Sequence, residues 1–238
     1  MKYIVAHRGL SSKAPENTLE SFDLAILSGV THIEFDVHLS KDNEVVVVHD
    51  DTVDRTSNGA GKVNSMTLEE LQQLDFGSWF SKEFSHSKIP SLRNILMRYK
   101  SVNLVIEIKG KDKFLVEKVF KIIHSNQYWK EKIYKSKEDE PGIIFCSFHT
   151  DQLMRLREIS NDIFIGYLVK EINQDILNFA SSLSLDGIFS YYKSLNKENM
   201  TLLDNYYVSC YGFKKPDEVG ELLNMGVDAV TVDWPDKL

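Results

Sequence analysis

The sequence predicts a (β/α)8 TIM barrel folded as one domain. Three observations lead there. Apolar, strand-like segments recur near residues 3, 32, 103, 143, 164, 186, 207 and 229, with helical patterns between most of them. Eight such alternating units close into a barrel. The 238 residues are 42% hydrophobic, enough for one large core, and barrels commonly reach this length as single domains. Finally, no Gly-x-Gly-x-x-Gly follows the first strand, so a doubly wound open sheet lacks its usual support.

The elements follow in order. Tyr3-Ile4-Val5-Ala6 reads as a buried strand that ends at His7-Arg8-Gly9, where Gly9 permits a tight exit. Pro15-Glu16-Asn17-Thr18 starts a helix, with Asn17 and Glu20 as a capping-box-like pair, and Gly29 ends it. His32 to Asp36 is the second strand. A polar turn, Lys41 to Glu44, then leads into four valines and His49-Asp50. The connection is too short for a parallel crossover, so this arm should be antiparallel. With the turn centred between Asp42 and Asn43, His49 falls opposite Asp36.

Residues 51 to about 100 break the alternation. They hold a turn-rich stretch, a short helix beginning at Thr67, an aromatic group (Phe76, Trp79, Phe80, Phe84) and a helix near 91–99. The expectation is an insertion packed over one end of the scaffold, in the position of a lid. The alternation then resumes, with helices near 112–126, 149–158, 172–181, 197–204 and 216–225. The charged run Lys130 to Glu140 reads as a solvated loop.

Composition excludes several function classes. The net charge is −7 without a long basic run, which argues against a nucleic-acid partner. Cys146 and Cys210 lie in apolar strands and read as reduced core residues of a cytoplasmic protein. The N-terminal apolar run is too brief for a signal peptide or a membrane span.

The chemistry-bearing residues gather at strand ends, where barrel enzymes place their sites. They are His7 and Arg8 on the first strand, Glu34 and Asp36 on the second, and Glu107 and Lys109 on the third. Alternation points Glu34 and Asp36 to one face, where two like charges need a cation between them. Three carboxylates without a cysteine cluster suit one hard divalent cation, Ca²⁺ or Mg²⁺; Zn²⁺ would want more nitrogen or sulfur. His7 and His49 can divide general acid and base work. Arg8 and Lys109 supply fixed positive charge for a phosphate. A metal, two histidines and two cations together describe phosphodiester cleavage.

These residues stand in ordered motifs. His7-Arg8-Gly9, Pro15-Glu16-Asn17-Thr18, Glu34-x-Asp36, His49-Asp50-x-x-x-x-Arg55-Thr56, Glu107-x-Lys109 and Thr231-x-Asp233-x-Pro235 closely resemble those of glycerophosphodiester phosphodiesterases. The resemblance spans nearly the whole chain and includes an insertion from Gly61 to Leu92. It implies a distorted barrel, Glu34, Asp36 and Glu107 as metal ligands, His7 and His49 as the acid/base pair, and Arg8 and Lys109 at the phosphate. The implied reaction is hydrolysis of a small glycerophosphodiester to an alcohol and sn-glycerol 3-phosphate.

Two motifs depart from the family. The usual Trp-Thr-Val-Asn is Tyr211-Gly212-Phe213-Lys214 here, and the usual Ser-Phe-Asp is Ser147-Phe148-His149. Tyr211 keeps an aromatic and is expected to line the substrate pocket. The departures leave two rival readings, a lysophospholipase-D-like activity and a phosphodiester-binding protein with weakened turnover. Asp50 reads either as a metal ligand or as a group that orients a neighbour, and Arg55 as a brace for the insertion. His32, His38, His86, His124 and His149 read as structural or exposed. A neighbouring glycerol hydroxyl is already positioned to attack, which favours a cyclic-phosphate route over direct attack by water.

Overall fold

Runs such as Asn103–Ile108 and Ile143–Ser147 are rich in β-branched residues and apolar on both faces, which suits parallel strands buried on two sides. In the computed structural model, which describes residues 3–134 and 141–238, they build a closed barrel. The strands are β1 (Tyr3–Ala6), β2 (His32–Leu39), β3 (Val45–Val47), β4 (Asn103–Ile108), β5 (Ile143–Ser147), β6 (Phe164–Val169), β7 (Gly187–Tyr191), β8 (Tyr207–Tyr211) and β9 (Ala229–Val232). Eight of them pair in parallel, and β1 closes the ring by pairing with both β2 and β9. The ninth, β3, is the expected antiparallel arm on β2.

The helices are α1 (Leu19–Leu27), α2 (Leu68–Gln73), α3 (Leu92–Arg98), α4 (Leu115–His124), α5 (Gln127–Lys132), α6 (Thr150–Ile159), α7 (Gln174–Ser182), α8 (Lys197–Met200) and α9 (Val219–Met225). Apolar faces of α1, α3, α4, α6, α7 and α9 pack on the outside of the barrel in the main core. A second cluster fills the lumen, where Val5, Val105, Ile144, Cys146, Leu168 and Phe189 alternate with the residues facing the helices. A third joins the arm to the insertion through Val46, Val48, Val53, Val63, Leu71, Phe76 and Ile89. Helix α3 packs in the main core and not in this third cluster.

Four expectations are corrected. The arm pairs Val37 with Val47 and Leu39 with Val45, so Val48, not His49, lies opposite Asp36. The cause is the loop: Ser40 pairs with Glu44 around three residues, and Asn43 takes the left-handed conformation (φ 60°). Helix α1 is capped by Thr18 with Ser21, not by Asn17 with Glu20. Asn17 instead has φ 58° and turns its side chain toward Asp36. Lys130 to Lys132 end α5, anchored by buried Trp129, whose Nε1 donates to Leu96 O at 2.9 Å. Residues 135–140 of the expected loop lie outside the described residues. The helix expected over 197–204 shortens to α8 and one 3-10 turn.

No helix among the described residues is long and apolar enough to cross a membrane. Both cysteines are free and buried.

Candidate active site

Strand alternation brings Glu34, Asp36 and Glu107 to one end of the lumen, with β2 and β4 in register so that Asp36 pairs with Glu107. All three are buried, and their carboxylate oxygens lie within 4.8 Å of one another. Burial, then Asp36 and Glu107, pushes Glu34 well above the usual carboxylate range. Burial and Asp36 push Glu107 up to about 7. Asp36 goes the other way: burial opposes its charge, but Arg8, His49, Lys109 and Asn17 hold it ionised.

Asp36 is the fixed point of the cluster. Asn17 Nδ2 donates to its Oδ2 at 2.9 Å, and Arg8 Nε lies 3.2 Å from the same oxygen. Its Oδ1 is buried without a hydrogen-bond partner. A buried, unsatisfied carboxylate oxygen between two others is the donor set a hard divalent cation requires. The residues present therefore fit such an ion.

Two histidines line the same cavity as Glu34 and Glu107. His7 Nδ1 is 2.6 Å from Asp233 Oδ1, and His49 Nδ1 is 2.5 Å from Asp50 Oδ1. Each carboxylate fixes its ring and leaves Nε2 for the cavity. Asp50 thus orients His49; Asp233 does the same for His7, a role that the closing motif alone did not disclose. Burial lowers the His49 pKa, while Asp36 and Asp50 oppose the drop. His38, on β2, donates from Nε2 to His49 O at 3.0 Å and so holds the backbone of the catalytic candidate.

Arg8 adopts φ 55°, a conformation that aims its backbone N–H at Glu34 Oε2, 2.9 Å away. Its Nη1 donates to Glu16 Oε1 at 2.8 Å. Lys109 Nζ donates to Glu107 Oε1 at 2.9 Å and lies over the Phe148 ring. Carboxylates outweigh burial for both cations and keep them charged. Arg55 bridges Glu16 and Asp50, bracing the start of the insertion against the barrel.

His7, Arg8, Glu34, His49, Glu107 and Lys109 all line one cavity of about 300 Å³. Tyr211 lines its far side, with its hydroxyl donating to Val169 O at 3.1 Å and its ring edge-on to Phe148. Sequence reasoning missed Phe189, Phe213 and Lys214 as lining residues; the available signals were the position of Phe213 and Lys214 just after β8 and the lumen-facing alternation of Phe189 on β7. Gly212 has φ 91°, and a Cβ there would meet Tyr191 Cε2 at 2.5 Å. Tyr191 thus fills the space that the family's Thr would need. His32 sits two residues before Glu34 on the same strand, its ring tilted by 48° against Tyr3, with its pKa lowered to about 4 by burial.

The comparisons with known proteins agree with this geometry. The model of the glycerophosphoryl diester phosphodiesterase family matches residues 7–237. A glycerophosphodiester phosphodiesterase of Bacillus subtilis (strain 168) is 31% identical, covering 98% of this chain and 83% of that protein. An Oleispira antarctica phosphodiesterase, solved in complex with the product sn-glycerol-3-phosphate, superposes with a TM-score of 0.88 at 29% identity, covering 100% of this chain and 95% of that one. A glycerophosphodiester phosphodiesterase from Agrobacterium tumefaciens str. C58 gives 0.83 at 25% identity, over 99% and 98% of the two chains. The chain belongs to the glycerophosphoryl diester phosphodiesterase family and is a phosphodiesterase of that class.

Proposed function

We propose that this enzyme hydrolyses small glycerophosphodiesters to an alcohol and sn-glycerol 3-phosphate, with a divalent cation and two histidines. The observation that carries the reading is the pair of carboxylate-oriented imidazoles lining one cavity together with Glu34 and Glu107 of the buried acidic triad.

Glu34, Asp36 and Glu107 would hold the cation, Ca²⁺ or Mg²⁺ by the all-oxygen donor set. Bound there, it supplies Lewis-acid polarisation of a phosphoryl oxygen. Arg8 and Lys109 bind the other phosphoryl oxygens and stabilise the charge that grows on them. His7 takes the proton of the attacking oxygen, and His49 gives one to the leaving alcohol. The anionic diester, with Asp36 and Asp50, favours the protonated form of His49 against the effect of burial. The attacking oxygen is the free glycerol hydroxyl beside the phosphate, already held in place, so a cyclic phosphate forms first; water then attacks phosphorus and gives a proton to His49, while the departing glycerol oxygen takes one back from His7. Tyr211 and Phe148 pack against the bound glycerol. The two free cysteines support a reducing, cytoplasmic setting.

The test is a panel of deacylated phospholipids. Chelator-sensitive release of sn-glycerol 3-phosphate supports the reading, and its absence from every member removes it. Phosphorus NMR would show the cyclic phosphate as a transient species.

A further inference from the structure

We propose that the cleft on the far side of His49 binds the leaving alcohol and selects a small one that carries both an ammonium and a carboxylate. This rests on the acid/base reading above and adds a substrate class to it. A phosphodiester has two arms, and the leaving one must lie beside the group that protonates it, in a space that flanks the cavity.

Two such spaces adjoin the cavity. One, about 340 Å³, lies beyond His7. The other, about 600 Å³, lies beyond His49 and shares both His49 and Lys109 with the catalytic cavity. Their polar groups differ in availability. Beyond His7, Ser11 donates to His7 O or Asp233, Glu16 is held by Arg8 and Arg55, and Asp233 holds His7, which leaves Lys214 a cation without an acidic counterpart among the described residues. Beyond His49, no ion pair among the described residues engages Asp51, Lys62 or Lys111.

Both walls of the larger cleft are built in advance. Gln152, buried, donates from Nε2 to Gly110 O at 2.7 Å and Asp112 O at 3.0 Å, fixing the loop that carries Lys111. On the other wall Val63 N donates to Asp51 O at 3.0 Å, and Thr52 bridges to Lys62. Opposite charges on fixed walls match a zwitterion: Asp51 meets the ammonium, and Lys62 and Lys111 meet the carboxylate. No Phe, Tyr or Trp lines the cleft among the described residues, so a quaternary ammonium finds no aromatic cage there.

In the reaction the P–O bond to the alcohol breaks as the attacking oxygen bonds to phosphorus. The alcohol oxygen takes the proton from His49, the wall common to both spaces, and the attacking oxygen's proton passes to His7.

The experiment measures kcat/KM for glycerophosphoserine, glycerophosphocholine and the methyl ester of sn-glycerol 3-phosphate. It uses wild type, Lys111→Ala and Asp51→Ala, with Ser12→Ala as the variant in the cleft beyond His7. The carboxylate contact, which choline lacks, makes the serine ester better than the choline ester by about threefold to fivefold. Each exposed contact removed lowers kcat/KM for the serine ester by about threefold to fivefold, through KM, and leaves the methyl ester unchanged. Equal kcat/KM for the serine and choline esters overturns the proposal. So does a change in alcohol preference in the Ser12 variant alone. If wild type leaves even the methyl ester intact, the broader reading of the activity has failed, and this one with it.

Discussion

Arg55 grips Glu16 with two hydrogen bonds, Nη1 to Oε2 and Nη2 to Oε1, each 2.8 Å. The same guanidinium holds Asp50 through Nε at 2.7 Å, and Glu16 Oε1 also accepts from Arg8. A continuous line of charge thus runs from Arg8 through Glu16, Arg55 and Asp50 to His49. Removing Arg55 should leave the cavity lining in place but loosen both ends of the line. Arg55→Ala is expected to lower kcat by about tenfold to a hundredfold with a smaller change in KM. Arg55→Lys should recover little, because an ammonium cannot make the paired contacts. Steady-state kinetics at several pH values checks this, and full rescue by Lys would count against it.

His7→Ala and His49→Ala should each cost about 10²- to 10⁴-fold in kcat. Neither residue belongs to the acidic triad, so calorimetric titration should show divalent-cation affinity close to wild type. Asp233→Asn and Asp50→Asn should fall between wild type and these variants, because they free the ring while leaving it present. A His7 variant with undiminished turnover would remove it from the acid/base pair.

Cation affinity should rise with pH through neutrality. Glu107 keeps its proton up to about 7, and Glu34 is also raised, so below that range protons compete with the ion. The same shifts set the stability of the metal-free protein. Both glutamates have folded-state pKa values above the ordinary 4.5, so the folded state binds more protons than the unfolded chain. Stability from these groups is therefore full below 4.5 and is lost as pH rises toward 7. The depressed Asp36 acts oppositely, but only below its ordinary 3.8. Thermal melts should show a small gain from added Ca²⁺ or Mg²⁺ at pH 5 and a growing one through pH 7. A gain that shrinks with pH would contradict the assignment.

Gly212→Thr, which brings the segment closer to the common family motif, should destabilise the protein by roughly 1–3 kcal/mol. A branched side chain would have to adopt φ 91° and displace the Tyr191 ring. Denaturant unfolding measures this. A neutral result would mean that the β8 loop relaxes freely.

The barrel was legible because its strands are apolar on both faces and its units repeat. The acidic triad was legible because Glu34, Asp36 and Glu107 obey strand alternation. The parts that were not legible depend on single backbone conformations. Asn17 satisfies the composition rules for a cap, yet a left-handed φ turns it into a clamp on Asp36. The arm's register depended on whether its loop held an odd or even number of residues, and composition does not distinguish the two. Asp233 lies 226 residues from His7, so their hydrogen bond exists only once the barrel closes. The cleft beyond His49 joins residues from five separate stretches, and Asp51, Lys62 and Lys111 are at no named position of any motif.

The arm belongs to two cores at once. Val45 and Val47 face the barrel's main cluster, and Val46 and Val48 face the insertion's. The position of His49 is therefore a compromise between two bodies of packing, one of which carries no catalytic candidate beyond the arm itself. Drift in Leu71 or Phe76 would reach the proton-transfer step by shifting the arm, with the barrel untouched. Selection could thus adjust catalytic rate through residues remote from the substrate, and random libraries aimed at the insertion should yield activity variants that a survey of the cavity wall would never suggest.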